Sequence, residues 1–469
     1  MSENIEKTEK TKTTKSSKGT FLKGAAIIAV GGFVAKLVGA LYRIPLTNLI
    51  GGHGIGLYQM VYPVYCLLLT VSATGIPSSI AKLTAERIGK GEGDGPVFKT
   101  AMKLFLLVGA VGTFLMTVIA PFLAKAQGSE SVTAGYYALA PSVFLVSAIS
   151  VFRGWFQGRN DMFPTALSEI AEQLVKVAFG LLFAYLYRGN VERAVVFLLL
   201  AVSLSELFAL FLMLALYKRV PARREMQNEG GRVAMSSILR LSIPVTLSSI
   251  LLPLSSLLDS VLVVRFLGAY AEDAVSLYGL FSGGAVTIVN LPVSVCYGIA
   301  AASIPAVAAA KAKAERGESE DGKTPSVRRR LFFSLGVTLL VAAPCAVGLY
   351  LFAEPAARII FRSLSGEELD ILVRLVKIFS VSALTLSGVQ TLSACLTAQG
   401  KPKFAAFSML VAVVVKTAAY CFLLRDPKVS VFGLAHATNL CYLVAFFLDL
   451  VYNLYVSKKR GKRNGGENE

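Results

Sequence analysis

Several long apolar stretches of this sequence contain a charged residue near their middle. Lys36 lies about 12 residues into the first stretch, which is close to a bilayer midplane at ~1.5 Å per residue. Lys176 and Lys416 lie at a similar depth in later stretches, and Glu206 lies near the centre of another. A charge at that depth costs on the order of 2.5–3.5 kcal/mol. Such residues are therefore expected to act on an anion, a cation or a proton.

A second set of charges lies nearer to the ends of these stretches. Arg43 and Arg265 are near the outer ends of the first and seventh, and Asp259 lies one to two turns inward from Arg265. Glu172 precedes Lys176 by one helical turn, so an intrahelical pair is available. Arginine can offer two parallel donors to a phosphate, and lysine a point charge. Together these residues predict a solvated, net-positive cavity that attracts an anionic headgroup.

A purely structural interpretation of the same charges stays open. Glu172 and Lys176 could form a packing pair, and cations near helix ends could reach the headgroups with their charged tips. Arg374 and Lys377, in the outer third of the tenth stretch, fit that second interpretation better. Glu206 fits a proton or cation site and a polar contact between helices equally well.

One soluble-enzyme motif occurs and is rejected. Residues 317–324, GESEDGKT, match the phosphate-loop pattern, but a predicted helix precedes them and Pro325 follows at once. The pattern requires a strand before it and a helix after it. The sequence therefore predicts neither ATP hydrolysis nor any enzymatic activity. Six cysteines without a CxxC pair and only two histidines predict no disulfide, no metal site and no cofactor.

The elements that carry these charges are predicted to be transmembrane helices. The chain has 469 residues, of which 55% are hydrophobic and 16% charged, whereas soluble domains have about 25% charged residues. The net charge of +18 lies in short loops, which favours anionic membrane lipids over nucleic acid as partners. Twelve stretches are long enough to cross a bilayer: residues 21–42, 56–80, 97–124, 132–154, 164–187, 194–217, 238–264, 274–305, 329–352, 369–394, 403–424 and 430–456.

Basic residues concentrate in alternate loops, which predicts that both termini are cytoplasmic. Residues 1–20 are rich in Lys, Thr and Ser, and are predicted to form a disordered tail. The long loop 218–237 divides the helices into a first lobe, 21–217, and a second lobe, 238–456, before a basic tail, 457–469.

The two lobes are interpreted as copies of one unit. Gln157-Gly158 matches Gln399-Gly400, and Val175-Lys176 matches Val415-Lys416, with offsets of nearly the same length. Six helices per copy preserve the membrane orientation, which predicts two pseudo-symmetric bundles around a central cavity. Glycine and proline at 75–77, 252–254, 291–292 and 304–305 predict bends, and the Gly279/Gly283 spacing predicts close helix packing.

Two further motifs carry a resemblance to a known family. They are the stretch Tyr42-Arg43-Ile44-Pro45-Leu46 with residues 54–63, and the stretch 153–158 (RGWFQG) with residues 162–175. The sequence resembles the SpoVB-type polysaccharide-biosynthesis and sporulation proteins of Gram-positive bacteria. These belong to the MATE-like exporter (MOP) superfamily, beside the MurJ lipid II flippases. MurJ-type proteins place cavity arginines in helices 2 and 8. The present sequence departs from that pattern, because its predicted helix 2 has no arginine and its predicted helix 8 has no charged residue.

The resemblance implies a plasma-membrane flippase with a MATE-like fold that moves an undecaprenyl-pyrophosphate-linked oligosaccharide by alternating access. On this interpretation Lys36, Arg43, Lys176 and Lys416 bind the pyrophosphate and first sugar, and Arg265 is an outer-gate contact. Glu172 orients Lys176, while Glu206 and Asp259 are candidates for coupling to Na⁺, H⁺ or the membrane potential. Two other functions remain open: a cation-coupled multidrug antiporter, which would need a carboxylate-dominated cavity, and a non-transporting partner of a cell-wall synthase.

Overall fold

The computed structural model describes residues 2–220, 233–296, 307, 327–364 and 366–465. The side chains of residues 2–30 and 457–465 and of a few other positions, Lys36 among them, lie outside that description. Within it, every regular element is helical, and nine helices are long and apolar enough to cross a membrane. The prediction of an all-α, multi-pass membrane protein is confirmed.

Fifteen helices are described. They are α1 Ser2–Leu69, α2 Ile76–Gly89, α3 Gly95–Ala126, α4 Val132–Gly158, α5 Phe163–Leu186, α6 Val191–Arg219, α7 Met235–Ser249, α8 Leu251–Leu267, α9 Ala274–Cys296, α10 Val327–Leu351, α11 Ala353–Ile360, α12 Gly366–Phe379, α13 Val381–Ala398, α14 Pro402–Leu423 and α15 Phe432–Gly465.

Each of the twelve predicted stretches has a helical counterpart, but their boundaries differ. The first two stretches are the two arms of α1, residues 2–50 and 52–69, which are separated by Gly51. Gly51 has a φ of 69°, in the left-handed region that glycine adopts without a steric penalty. The seventh stretch is divided between α7 and α8. Residues 297–306 and the rejected motif at 317–324 lie outside the described residues.

The sequence predicts a disordered tail over residues 1–20, whereas in the structure the backbone is helical from Ser2, where α1 begins. The reason lies in the local sequence. No glycine or proline precedes Gly19, and Glu3 and Glu6 each precede a lysine by four residues. Pairs at that spacing, with the acid first, stabilise an isolated helix.

Two helix interruptions coincide with the predicted glycine and proline positions. A π-helical turn, Thr70–Thr74, ends the second arm of α1, and Gly75 precedes α2. A Cβ at Gly75 would lie 2.5 Å from the carbonyl oxygen of Ser242 in α7, so only glycine allows this approach. The second interruption, at Ile250, separates α7 from α8 just before Pro253. Helix α7 packs on α2 and the π-helical turn of the first six-helix group (residues 21–217) and also contacts α14 of the second six-helix group (residues 238–456). Helix α8 is joined to α14 by a polar network.

The second arm of α1 crosses α9 at very short range. A Cβ on Gly56 would lie 2.1 Å from the carbonyl oxygen of Val275, and one on Gly279 would lie 2.2 Å from that of Gly52. Gly283 contacts Ile55 in the same way. The close packing predicted from the Gly279/Gly283 spacing is confirmed. Small residues let the two backbones approach, which is how helices associate inside a membrane.

Polar contacts surround this crossing at one end of the bundle, which we call the far end. It is formed by α11 and by loops 127–131, 187–190, 268–273, 361–364 and 424–431. His53 Nδ1 lies 3.0 Å from Asp273 Oδ2, and Asn48 Nδ2 donates to the Ile360 carbonyl over 2.7 Å. The two six-helix groups are therefore in direct contact at the far end.

The close crossing of α1 and α9 predicts that two glycine substitutions differ strongly in how much they destabilise the protein. We expect Gly56→Ala to destabilise the protein by about 1–3 kcal/mol, because the added methyl group meets backbone that must move. Gly336→Ala is the matched control, since a Cβ there meets nothing within 4 Å. Thermal unfolding in detergent measures both, and equal unfolding temperatures for the two variants would contradict the crossing.

A central cavity lined by paired and unpaired charges

The helices enclose a central cavity with two adjoining chambers. The first has a volume of about 700 Å³ and the second about 300 Å³. Both chambers are lined by Arg43, Tyr62, Leu252, Asn290 and Tyr442, so they meet at these residues. Across the two, four described cations face three carboxylates: Arg43, Arg153, Lys176 and Lys416, and Glu169, Glu172 and Asp259.

The first chamber contains an ion pair between neighbouring helices. Arg153 of α4 places Nη2 3.0 Å from Glu172 Oε2 of α5, and its Nε donates to Ser168 Oγ over 2.9 Å. Only 14% of the Arg153 side chain and 16% of the Glu172 side chain are exposed. A planar guanidinium suits such a site, because it can hold a carboxylate and a second acceptor at once.

This pair corrects the predicted role of Glu172. The i,i+4 spacing suggested that Glu172 orients Lys176, but the partner of Glu172 is Arg153. Arg153 is not among the predicted site residues, because it comes at the end of the predicted stretch 132–154, whereas α4 continues through Gly158 and carries Arg153 into the cavity. The missed signal was the aromatic, glycine-containing stretch 153–158, which is apolar enough to continue the helix.

Two cations of the first chamber remain without a carboxylate. Arg43 of α1 donates from Nη1 to Thr287 Oγ1 of α9 over 3.4 Å, a weak bond to a neutral group. Lys176 of α5 lines the same chamber. Neither forms an ion pair within the part of the chain that the structure describes. Both side chains are thus available to an anionic ligand.

The second chamber contains a buried network. Lys416 is 5% exposed, and its Nζ donates to Asp259 Oδ2 over 2.8 Å and to Ser255 Oγ over 2.5 Å. The Tyr420 hydroxyl donates to the other oxygen of Asp259 over 2.9 Å. The predicted cation Lys416 and the predicted carboxylate Asp259 are therefore partners, and their charges cancel within the cavity wall.

The remaining predicted site residues lie elsewhere. Glu206 of α6 is 2% exposed and lines neither chamber; it accepts a hydrogen bond from the Tyr65 hydroxyl over 3.0 Å. Arg265 is exposed in the last turn of α8 and lines neither chamber, so the structure does not bring it to the site. Lys36 lies on α1, and its side chain is outside the described residues. Within those residues, no cluster of metal-ligating side chains is found.

Comparison with known proteins identifies the family. A model of the polysaccharide biosynthesis protein family matches residues 21–311, which is more than half of the chain. The chain belongs to this family. It is 27% identical over 435 residues to stage V sporulation protein B of Bacillus subtilis (strain 168), covering 90% of this chain and 81% of that protein.

A second relative and a solved structure agree with this assignment. Lipid II flippase MurJ of Bacillus subtilis (strain 168) is 23% identical over 468 residues, with 93% of this chain and 82% of that protein covered. An inward-facing multidrug resistance MATE family transporter of the MOP superfamily superposes with a TM-score of 0.77 at 18% identity, covering 91% and 96% of the two chains. The MATE-like fold is confirmed.

The Lys416 network predicts a large loss of stability when one partner is removed. We expect Asp259→Asn to destabilise the protein by about 3 kcal/mol or more, because it leaves a buried ammonium without its counterion. The double variant Asp259→Asn/Lys416→Met should recover part of that loss. Asp370→Asn, at an exposed position, is the control. Unfolding temperatures in detergent measure all three, and a double variant less stable than the single one would contradict the pairing.

Proposed function

We propose that this transporter is a flippase for an undecaprenyl-pyrophosphate-linked oligosaccharide, a lipid II-like precursor of cell wall or surface polysaccharide. The observation that carries the proposal is the first chamber, where Arg43 and Lys176 have no carboxylate partner among the residues that the structure describes. An anion is the ligand that restores charge balance there. The name of one relative, lipid II flippase MurJ, supports a substrate of this class.

The pyrophosphate fits the arrangement of charges. A ligand phosphate can accept paired hydrogen bonds from the Arg43 guanidinium, and the second phosphate can meet the Lys176 ammonium. Lys36 is proposed to contribute from the same arm of α1. A chamber of about 700 Å³ lies within the ~300–1,000 Å³ typical of small-molecule pockets, so it accommodates the pyrophosphate and the first sugar. The prenyl chain would remain in the lipid.

The paired cations have a different task in this proposal. Glu172 holds Arg153, and Asp259 holds Lys416, so these side chains shape the walls without adding to the positive field. Selectivity for an anion then depends on Arg43 and Lys176. The network around Lys416 also fixes α8 against α14, which keeps the second chamber rigid while the groups move.

Transport by alternating access would require the far-end contacts to separate. The contacts made by Asn48 and His53 join the first six helices to the second six. We propose that the groups rock about the central cavity, and that membrane potential or an ion gradient drives the cycle. The plasma membrane of a bacterium, with both termini cytoplasmic, is the proposed location.

A cation-coupled antiporter is the second candidate, and one observation favours it. Glu206 is buried, and its Oε2 has no hydrogen-bond partner among the described residues. A carboxyl group in that state fits a proton carrier. It lies outside both chambers, however, so it fits a coupling role better than the binding of a cationic drug.

The charge of the first chamber is tested by transport in proteoliposomes. We expect Arg43→Gln/Lys176→Gln to reduce lipid II translocation at least ~100-fold, because each lost charge–phosphate hydrogen bond is worth ~1.5–3 kcal/mol. The matched control is Arg219→Gln/Lys401→Gln, which removes two exposed cations outside the cavity and should translocate normally.

The same preparation separates the two candidate functions. Export of a cationic dye against a sodium or proton gradient, with no movement of lipid II or of any other lipid-linked sugar, would replace the flippase by the antiporter. Equal lipid II translocation by both double variants would remove Arg43 and Lys176 from the substrate site.

The contacts at the far end predict that a disulfide cross-link there blocks transport reversibly. In a background where the six native cysteines are replaced, we expect cross-linking of His53→Cys/Asp273→Cys to stop transport and a reductant to restore it. The single Asp273→Cys variant controls for chemical modification. Full transport by the cross-linked protein would show that the two groups need not separate at the far end.

A further inference from the structure

A second cationic pocket lies at the far end, on the outer surface of the second six-helix group. It has a volume of about 530 Å³ and lies apart from both chambers of the central cavity. Its walls come from α10, α12, the loop before α15 and the first turns of α15. The lining residues are Tyr350, Arg374, Lys377, Ile378, Lys428, Val429, Phe432 and His436.

We propose that this pocket binds the phosphate of an anionic membrane lipid. Three permanent cations, Arg374, Lys377 and Lys428, line it together with His436, and its described lining contains no carboxylate. None of the three cations forms an ion pair within the described part of the chain. The nearest acid in sequence to Lys428 is Asp426, which accepts from the Lys428 backbone nitrogen over 2.9 Å and leaves the ammonium unpaired.

The spacing of the lining residues along α12 and α15 places their side chains on the helix faces that form the pocket. Arg374 and Lys377 are three residues apart on α12, so they lie on one face. Phe432 and His436 are likewise one turn apart on α15. A rigid polar contact lies one turn further along: Asn439 of α15 donates to the Ile378 carbonyl over 2.7 Å.

The same asparagine accepts from Ser382 of α13 over 2.5 Å, so α15 is joined both to α12 and to the helix that follows it. The walls formed by α12 and α15 therefore cannot separate without loss of these bonds. A preorganised cationic pocket binds an anion more tightly than mobile surface lysines do, because less conformational freedom is lost on binding.

The surroundings favour a lipid over a soluble anion. Tyr350 is 56% exposed, and Leu351 and Phe352 beside it are 64% and 63% exposed. Such a band of aromatic and aliphatic side chains beside cations is typical of the membrane–water interface. The acyl chains of a lipid would lie along this apolar surface while its phosphate enters the pocket. Phosphatidylglycerol, an anionic glycerophospholipid, is the probe with this chemistry.

The proposal does not depend on the flippase function, since it concerns a different surface. Interfacial lysines and arginines attract anionic lipid with ~1 kcal/mol each, or about fivefold in affinity per charge. Loss of all three permanent cations is therefore expected to weaken phosphatidylglycerol binding on the order of 100-fold.

The test is native mass spectrometry of the full chain with phosphatidylglycerol, phosphatidylcholine or inorganic phosphate added. The variant is Arg374→Gln/Lys377→Gln/Lys428→Gln. The matched control is Lys125→Gln/Arg188→Gln/Arg193→Gln, which removes three exposed cations at the same end but outside the pocket. We expect wild type and control to retain phosphatidylglycerol in preference to phosphatidylcholine, and the pocket variant to lose that preference.

Two results would overturn the proposal. Equal retention of phosphatidylglycerol by the pocket variant and the control would show that the lysine and arginine side chains only reach towards headgroups in general. Displacement of the lipid by millimolar inorganic phosphate, with phosphate itself retained, would assign the pocket to a soluble anion. The single variant Lys428→Glu, in an exposed loop, repeats the comparison if the triple variant unfolds.

Discussion

The need to neutralise charge inside a low-dielectric bundle governs this structure. Two cations deep in the protein, Arg153 and Lys416, each have a carboxylate from a neighbouring helix within 3.0 Å. A buried ion without a partner costs several kcal/mol, so these pairs constrain which helices can be neighbours. The pair of Lys416 joins α8 to α14, and that of Arg153 joins α4 to α5. Both pairs lie in the walls of the central cavity.

Because charge inside the bundle must be neutralised, the cations that lack a carboxylate partner indicate what the protein binds. Arg43 and Lys176 face the larger chamber, where water and ligand can reach them, and among the described residues neither forms an ion pair with a carboxylate. Retention of such charges is expensive in a protein that only spans or supports a membrane. It is expected in a protein whose substrate brings the missing negative charge. The charge distribution and the transporter fold therefore support the same function.

Close backbone contact and interrupted helices provide the means for movement. Gly52, Gly56 and Gly279 let the second arm of α1 lie directly against α9, while Gly75 and Ile250 mark places where a helix ends and another begins. Beside a shared buried apolar core that includes Ile55 and Leu280, the far-end contacts between the groups are hydrogen bonds and an exposed pair, His53 and Asp273. Contacts of that kind can break and form again at modest energetic cost, as a transport cycle requires.

The amino-acid sequence alone determined the class of protein and the general nature of its site. Hydropathy and loop charge specified a multi-pass helical bundle, since only helices of that length and composition satisfy their backbone groups in lipid. Depth along each helix was enough to single out Lys176, Lys416 and Arg43, because rise per residue is constant. The glycines at 279 and 283 predicted a close crossing for the same local reason.

Only the tertiary structure decided which charges are free and which are paired. Helical spacing assigned Glu172 to Lys176, but Arg153 from another helix reaches Glu172 instead. Lys416 and its repeat mate Lys176 look equivalent in sequence, yet Asp259 neutralises only the first. Partners on different helices are separated by tens or hundreds of residues, and their distance depends on how the helices pack. Periodicity carries information about one helix at a time, so the pairing that defines the cavity appears only when the helices are brought together.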